Sequence, residues 1–511
     1  MSAFVRDVVS SLESCVIHGS SEIQVLGITH DSRKVEPGWM FAAIPGDKCD
    51  GHDFIGLAIE KGAAAIVAQT DPESHFRRDS VTWITVQNTR DVLGMLSSVV
   101  YNKPTHKISL VGITGTNGKT TLTFLLESIA RAAGHTPGVI GTINYRWKNH
   151  EMAASNTTPE ASDLQFMLNE MVSNGVSHVF MEVSSHGLTM GRLNGCEFDV
   201  GVFTNLTQDH LDYHKDMEDY FNAKALLFSR LLKNSRKKNK TAIINYDDLY
   251  GKRLLSEIEG IDKLSFGSTP DCDFHPFKAL INSDGIDGTI SSPRGLLEIE
   301  SCLTGSFNLS NILAAIAVSS ALGFSHDSIV QGIKSLEEVP GRLQRIPSRR
   351  GYVFVDYAHT PNALTNVLQA LRKSSTGRIL TVVGCGGDRD KTKRPLMGEQ
   401  AAIASDFVLI TSDNPRTENP LEIISQIEFG VRRAGLELSL INDHDHAVQT
   451  GKYAVIPDRR EAIKWIVRQL QENDTLLVAG KGHETYQEIH GVRYPFDDRE
   501  ELLKALELLE P

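Results

Sequence analysis

The chain has 511 residues, too many for one hydrophobic core and enough for about three domains. It is 41% hydrophobic and 23% charged with a net charge of -12, a globular composition whose acidic balance argues against a general binder of nucleic acid or membrane surfaces. Its six scattered cysteines form no C-x-x-C pair, so neither a zinc knuckle nor a disulfide framework is signalled and a reducing cytoplasm is expected.

The opening "MSAFVRDVVSSLESC" carries Asp7 and Glu13 and no long apolar centre, unlike a secretory signal, and no apolar run approaches the length of a membrane span. Residues 1–106 mix short strands and helices; "AIEKGAAAIVA" reads as a helix running into a buried strand. "YNKPTHK" (101–107) is polar and broken by proline, the pattern of a linker. A second block spans 107–338. A third, 339–511, begins where proline and glycine again punctuate the chain in "EEVPGRLQRI".

The second block opens with "VGITGTNGKTT" (111–121). The usual phosphate-loop spelling, G-x-x-x-x-G-K-[ST], would put its first glycine at Ile113; Gly112 is one residue early and Gly115 is extra. The context is nevertheless right. "HKISLVGI" suits a buried strand, and Leu122, Leu125, Leu126 and Ile129 fall at helical spacing before a stop at Gly134. Strand, glycine-rich turn and helix aim backbone N–H groups and a helix N-terminus at an anion. Lys119 would neutralise β- and γ-phosphates, and Thr120 would offer a hydroxyl to Mg2+. Motors, switches, kinases and ligases share such a loop, so it does not name the reaction.

Further along, "VFMEVSSHGL" (179–188) is an apolar strand ending in Glu182, the placement of a second metal-binding arm beside a phosphate loop. "NLTQDHLDYH" (205–214) supplies Asp209, His210, Asp212 and His214. The i, i+4 spacing of His210 and His214 suggests zinc on a helix, but H-E-x-x-H is absent and oxygen-liganded Mg2+ suits the nucleotide loop better. "DYFNAKALLF" (219–228) reads as a helix whose apolar stripe of Tyr220, Phe221, Leu227 and Phe228 contains Lys224. On sequence alone a lysine snorkelling to the rim is favoured. The sharper alternative is a desolvated amine of lowered pKa that takes up CO2 and becomes a metal-binding carbamate. The basic run "KNSRKKNK" (233–240) reads as a solvated loop.

The third block alternates the apolar runs "YVFVDYA", "RILTVVG", "DFVLITSD" and "DTLLVAGKG" with helix-period segments such as "PNALTNVLQALRK" and "REAIKWIVRQLQE". This is the βαβ pattern of a Rossmann-like parallel sheet with helices on both faces. Ligands gather beyond the carboxyl ends of such strands, which here carry "GCGGDRDKTKR", "SDNPRTENP" and "GKGHE". A dinucleotide reading of "GCGGDR" is weak: Gly384 and Gly386 fit G-x-G-x-x-G, but Arg389 takes the third glycine's place.

In order and at compatible spacing, "GTNGKTT", "MEVSSHGL", "NLTQDHLDYH", "NAKALLF", "GSFNLSNILAA" (305–315), "PGRLQRI" and "DYAHTPNAL" (356–364) resemble the Mur ligase family over nearly the whole chain. The resemblance implies a small N-terminal α/β domain for a UDP-substrate, a central P-loop ATPase-type domain and a C-terminal Rossmann-like domain for an amino acid. It is strongest toward the members that add the third peptide residue, through "THDSR" (29–33), "SNTTP" (155–159), "GCGGDRDKTKRPLMG" and "GKGHE". The implied activity is ATP-dependent, ADP-forming amide ligation through an acyl phosphate, joining meso-diaminopimelate to UDP-N-acetylmuramoyl-L-alanyl-D-glutamate for peptidoglycan. The catalytic residues implied are Lys119, Glu182, His210 and Lys224. Thr120, Glu182, His210 and Lys224 as N6-carboxylysine would hold Mg2+. ATP would sit on Gly115, Thr116, Asn117, Gly118, Lys119, Thr120 and Thr121, with Asn308 and Asn311 on the adenine side and Arg342 and Asp356 from the third domain.

The UDP-substrate would meet His30, Ser32, Asp47, Lys48, Cys49, Asn156, Thr157, Thr158, Ser184, Met190 and Arg192. Two positions depart from the family: Asp47-Lys48-Cys49 stands where H-Q-A is common, and Met190 where glutamine is common. For the amino acid the resemblance implies Arg389, Asp413, Asn414, Pro415, Arg416, Gly480 and Glu484. Diaminopimelate differs from lysine by one carboxylate, which the planar guanidinium of Arg416 in "DNPR" can bind through two hydrogen bonds. Three alternatives stay open: the same ligase adding L-lysine, a non-catalytic nucleotide-binding scaffold, and a folylpolyglutamate synthase, which leaves the N-terminal domain and "DNPR" unexplained. The partners implied are small molecules for a monomeric chain, with no nucleic acid and no membrane insertion.

Overall fold

In the N-terminal block the short apolar runs become adjacent strands because none can bury both faces alone. The computed structural model describes residues 2–46, 49–74, 76, 80–210, 213–439 and 448–509. A five-stranded sheet takes the order Val16–His18, Thr82–Thr85, Ala65–Ala68, Met40–Ala42, Ile28–Thr29, parallel except at its first junction. Its central strand, Ala65–Ala68, is buried along its whole length, the continuous apolar run that a two-sided parallel strand requires. The helix expected before it is Ile55–Glu60.

The middle of the chain builds an eight-stranded sheet around Ser109–Thr114. That strand pairs in parallel with His178–Glu182 on one side and Val200–Phe203 on the other. Helices Lys119–Ala132 and Ser306–Ala321 pack on one face, where Leu122, Leu125, Leu126 and Ile129 are fully buried against Ile312 and Ile316. The first of these helices ends as expected, with Gly134 at a φ of 79° just past its cap. A small antiparallel sheet, His275–Ile281, Ile286–Ser292 and Gly295–Ser301, leans on the same core.

The third block forms a seven-stranded sheet ordered Gln344–Ile346, Tyr352–Asp356, Thr475–Ala479, Ile379–Val383, Phe407–Ile410, Lys452–Val455, Glu437–Leu438. Only the first junction is antiparallel. Helices Pro361–Ser374, Lys393–Ala404 and Pro420–Arg433 cover one face; Arg459–Arg468 and Asp498–Glu507 cover the other. The alternation read in the sequence is thus a parallel sheet with helices on both faces.

Three local expectations need correction. His210 and His214 are not on a helix: they lie in a loop where His210 has a φ of 54°. The segment 219–228 is helical only as far as Leu226; from Leu227 to Leu232 the backbone widens into a π-helical turn. The basic run 233–240 is not wholly solvated, because Lys237 ion-pairs with Asp199 at 3.1 Å and donates to the Ile108 carbonyl.

Candidate active site

The carboxyl ends of Ser109–Thr114, His178–Glu182 and Val200–Phe203 converge on one cavity of about 310 Å3, closed on its far side by the third block. The phosphate loop forms its floor. Gly115 and Gly118 have φ of 145° and 89°, and a Cβ at either would collide with the Thr204 hydroxyl or the Asn311 side chain. Those are the two positions where the turn needs glycine, which accounts for the displaced spelling: Ile113 lies inside the strand and is fully buried. The loop is anchored from the neighbouring strand end. Asn117 N–H donates to Asn205 Oδ1 at 2.9 Å, and Thr204 Oγ1 donates to the Asn117 carbonyl at 2.6 Å. Lys119 curls back, its Nζ donating to the carbonyls of Gly115 and Thr116, each at 2.9 Å.

Glu182 ends its strand as expected and is buried beside the loop. Its carboxylate accepts from Thr120 Oγ1 at 2.9 Å, from Thr142 N–H at 3.0 Å and from Thr142 Oγ1 at 2.9 Å. No cationic side chain among the described residues forms an ion pair with it. A buried carboxylate held only by neutral donors, with a threonine hydroxyl attached, is a donor set that suits a hard divalent cation. His210 lines the same cavity. No group of three or more histidine, cysteine or acidic side chains poised as a metal cluster occurs among the described residues. Oxygens from a bound phosphate and a modified Lys224 would have to complete the shell.

Lys224 overturns the rim reading. It is 1% exposed, with Nζ donating to the Gly115 carbonyl at 2.9 Å and lying 4.4 Å from the centre of the Tyr220 ring. The cause is the packing around its helix, which leaves the lysine facing only the loop and the cavity. Burial first, and the nearby Lys119 second, push its amine well below the ordinary lysine value. Tyr220 is itself wedged in place: its hydroxyl is 3.4 Å from Thr116 Oγ1, and the His214 ring packs on it at 4.9 Å. His214 in turn bonds Ser185 Oγ at 2.8 Å and Asp219 at 3.2 Å, so it is a structural brace for this wall.

Arg342 and Asp356 reach the cavity from the third block. Arg342 donates to Thr120 Oγ1 at 3.2 Å and stacks over Tyr357 at 4.7 Å, while its buried Nε has no partner. Asp356 accepts from Leu343 N–H at 2.6 Å, and burial raises its carboxyl to about 6. Phe266, Phe307, Ala363 and Val367 make the apolar side of the cavity, with Asn311 among them. Asn308 stands behind Asn311, accepting its amide at 3.0 Å and lining no part of the cavity.

The expected UDP-substrate residues spread outward from the Glu182 side. Thr157 and Ser184 line the cavity. Thr158 is buried behind them, donating to the Glu182 carbonyl and accepting from Ser184 N–H, both at 3.0 Å. Arg192 donates to the Thr158 carbonyl at 2.9 Å, pairs with Glu160 at 2.7 Å and approaches Met190 Sδ at 3.5 Å. The backbone N–H of Asn156 donates to the Tyr145 hydroxyl at 3.1 Å. In the N-terminal block, His30 bonds Ser162 at 2.9 Å, Ser32 is buried in the turn Ser32–Lys34, and Cys49 is exposed. Asp47, Lys48 and Asp212 lie outside the described residues.

The expected amino-acid residues gather at the next strand ends, beyond Tyr357, and none of them lines the 310 Å3 cavity. Asn414 donates to Glu484 at 2.7 Å. Asp413 adjoins Lys481 at 3.6 Å, next to Gly480. Arg416 has a φ of 52°, held by bonds from its N–H to the Glu488 carbonyl and from His490 N–H to its own carbonyl, at 3.0 and 2.6 Å. Pro415 precedes Arg416, whose Nη1 donates to the Gly387 carbonyl at 2.6 Å, and Arg389 is exposed.

Three family models match the chain: "Mur ligase family, catalytic domain" over residues 24–101, "Mur ligase middle domain" over 113–319, and "Mur ligase, glutamate ligase domain" over 341–482. The chain is 46% identical over 489 residues to a Geobacter metallireducens protein named UDP-N-acetylmuramoyl-L-alanyl-D-glutamate--2,6-diaminopimelate ligase, covering 95% of each. It is 41% identical to a protein of the same name from Geobacillus kaustophilus, covering 96% of each. The chain belongs to the Mur ligase family. A solved structure titled with that ligase name is 32% identical and superposes over all of both chains with a TM-score of 0.71. A Mur ligase of another type, MurF from Thermotoga maritima in complex with ADP, shares the fold at 20% identity, a TM-score of 0.63 and 94% of this chain. Folylpolyglutamate synthase from Mycobacterium tuberculosis aligns with only 75% of this chain, at 18% identity, so that reading accounts for less of it.

Several residues of this Mur ligase cavity were given no site role by the motifs: Thr142 and Thr204 lie outside them, and Asn205, Tyr220 and His359 lie within them unassigned. Thr142, Thr204 and Asn205 follow the ends of parallel strands, so a search of every strand's carboxyl end would have found them. Tyr220 stood in the apolar stripe, where nothing marks one ring as a cavity wall.

Proposed function

We propose that this Mur ligase uses ATP to join meso-diaminopimelate to UDP-N-acetylmuramoyl-L-alanyl-D-glutamate, releasing ADP and phosphate, for peptidoglycan synthesis. The names carried by full-length relatives at 40–46% identity support the substrates. The observation that carries the chemistry is the pairing of a phosphate loop with a buried carboxylate, Glu182, that is hydrogen-bonded by neutral donors under an arginine from the third block.

A carboxylate is a poor electrophile, so it must first take the γ-phosphoryl group. The carboxylate oxygen forms the new O–P bond as the bond to the β-phosphate oxygen breaks and ADP leaves. The amine then attacks the acyl carbon, the C–O bond to phosphate breaks, and the ammonium gives up a proton. Loop N–H groups and Lys119 would hold the β- and γ-phosphates, and Arg342, with its unpartnered Nε, would meet phosphate from the opposite wall. Thr120, Glu182, His210 and carboxylated Lys224 would hold Mg2+, which when bound neutralises the crowded phosphate oxygens. Asn311 and the apolar wall would seat the nucleoside. Closure of the third block over the cavity would keep water from the acyl phosphate.

At the far end, Arg416 would take the second carboxylate of diaminopimelate and Glu484 its distal ammonium. Residues 1–106, 107–338 and 339–511 would serve as the UDP-substrate, ATP and amino-acid domains. No helix among the described residues is long and apolar enough to cross a membrane. The free cysteines suit a cytoplasmic enzyme. The test is phosphate release from ATP with the UDP-dipeptide and either lysine or diaminopimelate. Release is expected only with both co-substrates present and diaminopimelate preferred, with labelled carboxylate oxygen appearing in the phosphate. Release without the UDP-substrate, or unlabelled phosphate, would overturn the reading.

A further inference from the structure

Lys481 is fully buried among the residues expected to receive the amino acid, and it carries none of the roles assigned so far. Its Nζ lies 3.1 Å from Asn414 Oδ1, 3.3 Å from Glu484 Oε2 and 3.6 Å from Asp413 Oδ1. Three oxygens from two loops thus surround one ammonium. A lysine shut away from water needs such compensation, and so do the acids beside it.

The two carboxylates would otherwise face each other. Burial, and after it the Asp413 charge, raises the Glu484 carboxyl above its ordinary range, while Lys481 and the Asn414 amide oppose the rise. Lys481 also fixes the Asn414 amide: Lys481 and Glu488 N–H both donate to Oδ1, so Nδ2 must turn to Glu484, which it reaches at 2.7 Å. The other N–H of that amide has no protein acceptor among the described residues.

We propose that Lys481 is the positioning residue of the amino-acid site, holding Glu484 as a carboxylate and Asn414 in the orientation that receives the distal end of the incoming amino acid. Lys481 itself does not touch the ligand; Glu484 and Asn414 do. The inference rests on the ligase reading above. Without Lys481, Glu484 shares a buried space with Asp413 uncompensated, and a ligand ammonium loses its partner.

The test compares Lys481→Met, of similar volume and uncharged, with Lys481→Gln, which keeps a donor for Asn414. Michaelis constants are measured for diaminopimelate, ATP and the UDP-dipeptide, with isothermal titration of diaminopimelate into protein saturated with the UDP-dipeptide as a readout independent of turnover. Lys481→Met should raise the diaminopimelate constant and its Kd by about 100-fold, with the other two constants within about threefold. Lys481→Gln should raise it less, by about tenfold, because the amide orientation survives. A diaminopimelate constant within twofold of the parent in either folded variant, or equal changes in all three constants, would overturn the assignment. If the parent protein itself turns over neither diaminopimelate nor lysine, the ligase reading has failed instead.

Discussion

Replacing Lys224 with methionine should stabilise the protein while abolishing its turnover. In CO2-free buffer the wild-type side chain is a free amine, buried, with one hydrogen bond and no carboxylate in ion-pair range among the described residues. Its folded pKa is depressed, so between the folded value and the ordinary lysine value of about 10.4 the unfolded chain binds one more proton than the folded one. Lysine therefore opposes folding fully below its folded pKa, and the opposition fades as pH rises toward 10.4. Each unit of depression costs about 1.4 kcal/mol. Methionine removes that cost, and the loss of the bond to Gly115 offsets only about 1 kcal/mol. The Gly115 carbonyl is not orphaned, because Lys119 also donates to it at 2.9 Å. A net gain at pH 7 follows wherever the depression exceeds about one unit, read as a higher urea midpoint whose excess shrinks as pH rises toward about 10. Turnover should drop by about 10²–10³-fold or more, the scale of losing one electrostatic stabiliser of a transition state. Lys224→Ala, which leaves room in the wall, should lose activity likewise but recover part of it with formate or acetate. A Lys224→Met variant that is destabilised, or whose gain is independent of pH, would refute the desolvated-amine argument; unchanged turnover would remove Lys224 from the metal site.

Arg416→Ala should raise the Michaelis constant for diaminopimelate by about thirtyfold or more, roughly 2 kcal/mol, while that for ATP stays within about twofold; equal effects on both would refute the carboxylate clamp. Asp356, raised to about 6 by burial, is a carboxyl that folds more readily when protonated, so its contribution is full below its unfolded value and is lost as pH rises through 6. Asp356→Asn should therefore recover about 3 kcal/mol at pH 7 but little at pH 4, measured by urea unfolding of the nucleotide-free protein at both; a difference that does not change with pH would remove the buried carboxyl as its cause.

The elements were legible wherever one periodicity dominated. Leu122, Leu125, Leu126 and Ile129 named the buried face of a helix, and the apolar runs of the third block named its parallel strands, because burial on one face or both is written directly into residue spacing. The ends of elements carried less signal. The π-helical turn at Leu227–Leu232 and the loop around His210 obey packing against other segments, and an i, i+4 pair of histidines looks the same whether or not a helix forms.

Two lysines show where sequence stops deciding. Lys224 and Lys481 are both buried, and neither surrounding motif says so: one sits in an apolar stripe, the other between two glycines. What separates them is what the fold brings near. Lys224 meets a carbonyl and a ring face and, among the described residues, no paired carboxylate, so burial disfavours its charged form. Lys481 meets Asp413, Asn414 and Glu484, whose oxygens fix its position and make it an organiser of other groups. The three partners of Lys481 come from two loops that only the parallel sheet brings side by side, so the same residue type acquires opposite chemistry from topology alone.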